Sequence, residues 1–536
     1  MFLQYIFCGL FFSGSVPMHS RNRIPAQPRA LSIFERINQV PLMIENPDVI
    51  LIGSGVMSAN FGALLKRLAP KLTIQLYEIT DELAQESSDG WSNAGTGHAG
   101  ICELSYTPFR ESDGSVNVSK AVEIFEQFEH SRQFWSYAVE SGMAIDPKTF
   151  ISPIPHISFV HGDEQVDFLR ARHAGMAAHH FFSEMEYSRD RETIARWAPL
   201  LVEGRGETPI AATKMDTGTD VNFGVLSRQL LHWLAQQEGC AIATGHRVID
   251  LKPALCGWNL TIRDIAAGKT LHNHARFVFV GAGGGSLSLL QKAGIAESKG
   301  LGGFPIGGQW LVCDNPEIVA RHHAKVYGQA LDAAPTMAVP HLDVRILDGR
   351  KTLLFGPFAA WTTKFLHKTG RWTDLPRSIK LGNLANLIKI GLGNLDLIKY
   401  LVQRGIQSMA DRIKVLQIFY PEAKAADWKL SDAGIRVQAI KKTDGEAGIV
   451  HYGTEILTNS DRSLSALLGA SPGASVSVNI ALGVIKDCFP NLMSSPEGKA
   501  RLKEMIPAWG ENIKHPDNAA FFHDMHEKSD HILKLR

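Results

Sequence analysis

Of the 536 residues, six are cysteine, and no two of them form a C-x-x-C pair. That excludes a disulfide-stapled scaffold, and a chain so poor in cysteine suits a reducing compartment. No H-E-x-x-H occurs, and the doublets His179-His180 and His322-His323 lack ligand spacing, so no metal is expected. No apolar run reaches the roughly 18 residues that a spanning helix needs. Neither sign of charge dominates: 55 Lys and Arg face 54 Asp and Glu. Nucleic acid is therefore not an expected partner. Apolar residues at 45% and charged residues at 20% describe an ordinary globular protein, and the length predicts two domains.

The first 45 residues stand apart. MFLQYIFCGLFFSGSVP is apolar but has no basic residue ahead of it and no A-x-A site. It is a poor secretory signal. A disordered extension, or a true start at Met18 or Met43, explains it better.

Chemistry begins at DVILIGSGVMSANFG, residues 48–62. The apolar run predicts a buried parallel strand. Gly53-Ser-Gly55-Val-Met-Ser58 follows, a G-x-G-x-x-G pattern with Ser58 in the third place. The first glycine permits a tight turn and the second lets backbone approach a pyrophosphate. A small third residue lets helix and strand pack, and the helix start attracts the phosphates. LTIQLY (72–77) predicts the second strand, ended by Glu78. A carboxylate there can accept from a ribose and repels a 2′-phosphate, which favours FAD or NAD over NADP.

Residues 86–107, ESSDGWSNAGTGHAGICELSYT, hold few large apolar anchors. Something other than a core must order them, and a bulky cofactor against the backbone would do so. Further on, Asn222 or Asp220 can cap a helix through Leu226, Leu230 and Leu234. HRVIDL, WNLTIRD and RFVFVG read as a meander ending at Gly281-Ala-Gly283-Gly-Gly285, either a packing turn or a phosphate contact. Gly469, Ser471, Gly473 and Ala474 precede the helical pattern SVNIALGVIKDCF. A helix start there presents free N–H groups to an anion.

QESSDGWSNAGTGHAGICELSYTP is similar to the signature of the malate:quinone oxidoreductases. So are FISPIPHISFV, FVFVGAGGGSLSLLQKAGI, GGFPIGGQWLVC, VPHLDVRILDGRKTLLFGPFA and LLGASPGAS, which extend the resemblance over nearly everything after residue 46. The resemblance implies an α/β fold: a Rossmann-like FAD-binding domain of the glutathione-reductase or D-amino-acid-oxidase type, with a second, mixed-sheet substrate domain. The expected pieces are 46–115, 216–290 and 441–490 for FAD, 116–215 and 291–440 for substrate, and a helical tail at 491–536. Val122, Phe125, Phe128 and Trp135 form a core stripe within the first substrate piece. The implied reaction takes (S)-malate to oxaloacetate by hydride transfer to non-covalent FAD and passes electrons to a membrane quinone, in the tricarboxylic acid cycle. Gly53, Gly55, Ser58, Glu78, Asn93, Gly95, Thr96, Gly97, Gly281 and Gly283, with the 469–474 group, are the expected cofactor contacts. Alternatives are a flavin dehydrogenase or oxidase of another 2-hydroxy acid, or a degenerate flavin-binding scaffold.

Such a reaction needs a base for the hydroxyl proton and cations for two carboxylates. Strand alternation places His341, Asp343 and Arg345 on one face. His341 is the expected base and Arg345 the expected carboxylate ligand, with Asp343 orienting either. His98 is the rival base. His156, Lys364 and Arg436 are further substrate-binding candidates. Residues 375–404 carry Arg377, Lys380, Lys389, Lys399 and Arg404 against Asp396 alone. This basic, interrupted apolar stretch suits the membrane interface, and the protein is expected on the cytoplasmic face of the membrane as a peripheral enzyme. The oligomeric state is not legible.

Overall fold

The computed structural model describes residues 43–108, 110–329, 339–393, 407–443, 446–449, 454–469 and 473–536. Ser471, Asp396, Lys399 and Arg404 lie outside them, as do residues 1–42.

Val49–Ile52 is central in a six-stranded sheet, paired in parallel with Ile74–Tyr77 on one side and Phe277–Val280 on the other. Cys240–Ala243 extends the first side. Leu464–Gly469 and the antiparallel edge Thr454–Thr458 extend the second. Being covered on both faces explains the unbroken apolar run. The helix Val56–Leu68 packs so closely that a Cβ on Gly62 would lie 2.9 Å from both Leu51 and Leu234. Phe61 stacks on Phe279 with ring centroids 4.3 Å apart. Truncating such a side chain costs about 3–5 kcal/mol.

The second sheet has nine strands and its own core around Phe159, Leu311, Val344 and Phe355. In order they are Glu446–Ile449, Lys429–Thr443, Gly302–Cys313, Arg350–Ala360, His341–Leu347, Lys325–Tyr327, His156–His161, Ile210–Met215 and Glu186–Ser188. All neighbours are antiparallel except Lys325–Tyr327 with His156–His161, so the sheet is mixed.

Two expectations change. RFVFVG does not close the meander. The third strand is Thr270–Ala275, beside Gly257–Asp264 and His246–Ala254, whereas Phe277–Val280 enters the six-stranded sheet. The helix Ser119–Glu140 does not join the nine-stranded sheet: Phe125, Phe128 and Trp135 are buried in the same core as Leu51 and Phe61. The expected helical tail forms the helices Pro496–Met505 and Ala519–Leu533, and Leu502, Met505 and Phe522 carry it into that core too. Buried Arg132 ties Ser119–Glu140 to Ala519–Leu533, pairing with Glu129 at 2.9 Å and with Asp530. The expected cap is settled as Asn222, whose Oδ1 accepts from the Val225 N–H at 3.2 Å.

Candidate active site

A cavity of about 510 Å³ opens where Val49–Ile52 and Ile74–Tyr77 end, and runs to the face of the nine-stranded sheet. Parallel sheets place ligands at such a switch point. Gly53, Gly55, Gly281 and Gly283 line its first end. Gly53 has φ +92°, and a Cβ there would meet the Gly281 carbonyl oxygen at 2.7 Å. The helix Val56–Leu68 starts on this wall, as does the helix Ser477–Cys488 further along, after Gly473 and Ala474. Two helix starts facing one cavity direct their positive dipole ends at an anion.

Glu78 lines the same end and is held on both oxygens. Ser54 donates to Oε2 through N and Oγ (2.8 and 2.6 Å), and Thr80 to Oε1 (2.9 and 2.7 Å). The glycine-rich 86–107 stretch forms one side, with Asn93, Gly95, Thr96 and His98 on the cavity. It is pinned to the second helix start by Ser475, whose Oγ accepts from the His98 N–H and donates to the Thr96 carbonyl, each at 3.0 Å.

At the far end His341 stacks on Tyr327, with centroids 4.4 Å apart and planes 3° from parallel. Its Nδ1 lies 2.9 Å from Asp343 Oδ2. Asp343 is fully buried. Burial alone would raise its pKa, but His341 and Lys325 outweigh that and hold it at about 2. Lys325 is buried as well, 3.4 Å from Asp343 Oδ2 and 2.9 Å from Asp220 Oδ1, and it donates to the Ala94 carbonyl at 2.8 Å. Asp220 in turn accepts from Arg345 Nη1 at 2.5 Å. His341 thus sits at the open end of a buried chain of alternating charges.

Five residues expected at the site lie elsewhere. Arg345 does not line the cavity: it is bound to Asp220 and donates to the Gly90 carbonyl at 2.7 Å. Its task is to anchor the 90–95 backbone, and a Cβ on Gly95 would sit 1.4 Å from its Nη1. His156 is buried with Nε2 3.1 Å from the Thr219 carbonyl oxygen. Burial, then Lys325, lowers its pKa to about 4. Lys364 places its ammonium 5.3 Å from the Trp372 ring centroid, outside the cavity. Ser58 and Gly97 are packing residues. Ser58 fills the space where a Gly281 Cβ would come within 2.2 Å of its Oγ, and Gly97 lies against Thr219.

Arg436 does line the cavity. Among the described residues no carboxylate lies within ion-pair distance of it. Burial lowers its pKa, an effect that nearby Tyr106 only partly offsets. Arg247 is the other guanidinium on the lining, and it follows His246, whose N–H donates to the Glu78 carbonyl at 2.7 Å. His98 is held as neutral imidazole: burial first, then His156 and His341, brings its pKa down to about 3. Tyr327, Trp310 and Glu103 also line this end. Nothing in their local sequence marks them, since each is an ordinary strand or loop residue until the sheets close over it.

The malate:quinone oxidoreductase family model matches residues 45–535. The chain belongs to this family. It is 49% identical over 492 residues to the probable malate:quinone oxidoreductase 2 of Pseudomonas aeruginosa, covering 92% of this chain and 96% of that protein. It is 50% identical over 469 residues to the probable malate:quinone oxidoreductase of Geobacillus kaustophilus, covering 87% and 93%. In fold it is similar to the FAD-bound L-α-glycerophosphate oxidase of Mycoplasma pneumoniae (TM-score 0.53, 16% identity, 83% and 95% of the two chains). It is also similar to glycine oxidase from Geobacillus kaustophilus (TM-score 0.51, 15% identity, 83% and 95%). The fold is therefore one that the chain shares with these two oxidases.

Proposed function

We propose that the cavity holds FAD without a covalent link, and that His341 and Arg436 act on malate at its far end. The chain is an oxidoreductase of malate with quinone as acceptor, the activity of its family. The donor set fits FAD: close-approach glycines at Gly53 and Gly281, two helix starts, and a carboxylate already oriented at Glu78. When bound, the flavin supplies the acceptor for the two electrons leaving malate C2.

The remaining work falls to the chain. Arg436 grips one carboxylate and so gains the anion that the protein does not provide. Asp343 occupies the Nδ1 side of His341, which leaves Nε2 to receive the malate hydroxyl proton. The imidazolium that forms is stabilised by Asp343, which stays ionised at any working pH. Neutral His98 can orient substrate by hydrogen bonding but is a weak base. The sandwich of His341 on Tyr327 restricts ring rotation. The observation that carries the assignment is half-buried Arg436, with no carboxylate partner among the described residues, on the same cavity as the Asp343-held His341.

Among the described residues no helix is long and apolar enough to cross a membrane. We place the enzyme peripherally, on the cytoplasmic face, in contact through the basic 375–404 segment.

The test is anaerobic mixing of the yellow holoprotein with malate. The flavin absorbance should bleach, and a quinone should restore it. Absence of bleaching by malate overturns the substrate assignment. Recovery with oxygen but not with quinone overturns the acceptor.

A further inference from the structure

The helix Leu381–Gly393 turns Asn383 and Asn386 inward beside half-buried Leu387. Asn383 is buried, and its Nδ2 donates to the carbonyls of Leu301 (2.9 Å) and Ser378 (3.0 Å). Asn386 Nδ2 donates to the Gly300 carbonyl at 3.2 Å. The outward stripe, at spacings of three and four, is Leu381, Leu384 and Ile388, exposed by 94%, 39% and 45%. A surface helix in water has the opposite arrangement. Ile379, Trp372 and Trp361 are exposed just upstream, so six of the twelve exposed large apolar side chains of the described residues fall within 361–388. Residues 361–389 also carry six Lys or Arg against one acid, Asp374, in a chain otherwise balanced. Asp374 is spent on the backbone N–H groups of Phe365 and Arg371.

Exposed apolar side chains, two tryptophans and a basic surround within one stretch of 29 residues match the chemistry of a bilayer interface. A second copy of the chain would bring like charges together, so charge complementarity favours an anionic lipid surface. We propose that this face, from Trp361 to Lys389, seats on anionic lipid, with Leu381, Leu384, Ile388 and the two tryptophans below the headgroups. The proposal rests on the peripheral placement given above and narrows it to one surface with a defined orientation. The docking segment also contributes to the cavity wall. Leu366, within the same segment, lines the cavity and lies 3.5 Å from where a Gly285 Cβ would be. The backbone N–H groups of His367 and Thr369 are clamped by Glu86, another lining residue, at 2.8 and 2.9 Å. A quinone leaving the lipid therefore meets the cavity wall directly behind the docking face.

The test uses holoenzyme with phosphatidylglycerol–phosphatidylcholine vesicles containing a long-chain quinone. The triple variant Leu381→Asp, Leu384→Asp, Ile388→Asp should bind vesicles at least about tenfold more weakly. Reduction of vesicle quinone should fall in parallel, while malate-driven reduction of a soluble dye stays at the wild-type rate. Arg377→Glu with Lys380→Glu should give a similar loss and remove the salt dependence of binding. The proposal is overturned if either variant binds like wild type, or if binding ignores phosphatidylglycerol. It is also overturned if wild type sediments without lipid as a dimer that the triple variant dissociates. Failure of malate to drive dye reduction in wild type would instead sink the catalytic assignment, a separate outcome.

Discussion

Two arginines, Arg345 fully buried and Arg436 half-buried, make opposite demands on the protein, and replacing each with methionine separates them. Arg436 lines the cavity with no carboxylate partner among the described residues. Arg345 is locked to Asp220 at 2.5 Å and to Gly90 at 2.7 Å. Removing one partner of a buried pair typically costs about 3–5 kcal/mol, because the other charge is left alone. Arg345→Met should therefore lower the thermal melting point and loosen the 90–95 backbone against the cofactor. Removing a charge that has no protein partner relieves desolvation instead. Arg436→Met should melt no lower than wild type. Its cost appears on binding: losing a buried charge-assisted contact to a ligand carboxylate is worth about 3 kcal/mol, roughly a 150-fold weaker malate Kd. Rapid-mixing titration of flavin bleaching against malate gives that Kd, and a melt of the same samples gives stability. A malate Kd for Arg436→Met within about threefold of wild type would refute the assignment. So would an Arg345→Met protein that melts like wild type yet binds malate poorly, since Arg345 would then be the ligand.

His341→Gln should slow flavin reduction by roughly a hundredfold or more, whereas His98→Gln should cost far less, because His98 is neutral and weakly basic; equal losses in single-turnover kinetics would reject the distinction. Asp343 and Glu129 are both held at about 2, below the usual carboxylate range. For Asp343 burial opposes the shift, and His341 and Lys325 drive it; for Glu129 burial again opposes, and Arg132 and His526 drive it. A carboxylate depressed on folding stabilises above its unfolded pKa and loses that contribution as pH falls through the folded value. Urea titrations should show stability falling between about pH 4 and pH 2, with a shallower fall in Glu129→Gln; an unchanged slope would reject the pairing. Gly95→Ala, at φ +62° and against Arg345, should purify with little bound flavin, as read from the visible-to-ultraviolet absorbance ratio; a full complement of flavin would show that Arg345 can yield.

The first sheet is legible because its signals are local. Four β-branched or leucine residues, two glycines and a carboxylate 25 positions on can be read without knowing what packs against them. Thr270–Ala275 escaped because TLHNHA has no apolar alternation; it is a half-exposed edge strand held by its ladder with Gly257–Asp264. The stripe Phe125, Phe128 and Trp135 announced a core but not which core, since an apolar face carries no address.

The site shows the same limit more sharply. Period-two alternation put His341, Asp343 and Arg345 on one face, and that face is real. Alternation says nothing about depth. At about 3.3 Å per residue, Arg345 lies some 13 Å along the strand from His341, well past the cavity and into the charge chain. Of the cations named from sequence, the one that reaches the cavity is Arg436, from Lys429–Thr443, three strands away across the sheet. Ranking it above Arg345 requires the registers of Gly302–Cys313, Arg350–Ala360 and His341–Leu347 together, and each is set by long-range pairing. Lys325 was invisible for the same reason. It looks like one more lysine before a valine until folding buries it between Asp220 and Asp343. There it fixes how much negative charge His341 faces. Lys325→Met should therefore leave Asp220 to Arg345 alone and Asp343 to His341 alone. Asp343, held low by His341 and Lys325 together, would keep only one of those supports, so the variant should lose stability at a higher pH than wild type as acid is added. An unchanged acid limb of the stability curve in a folded, flavin-loaded variant would mean that Lys325 does not set the charge on Asp343.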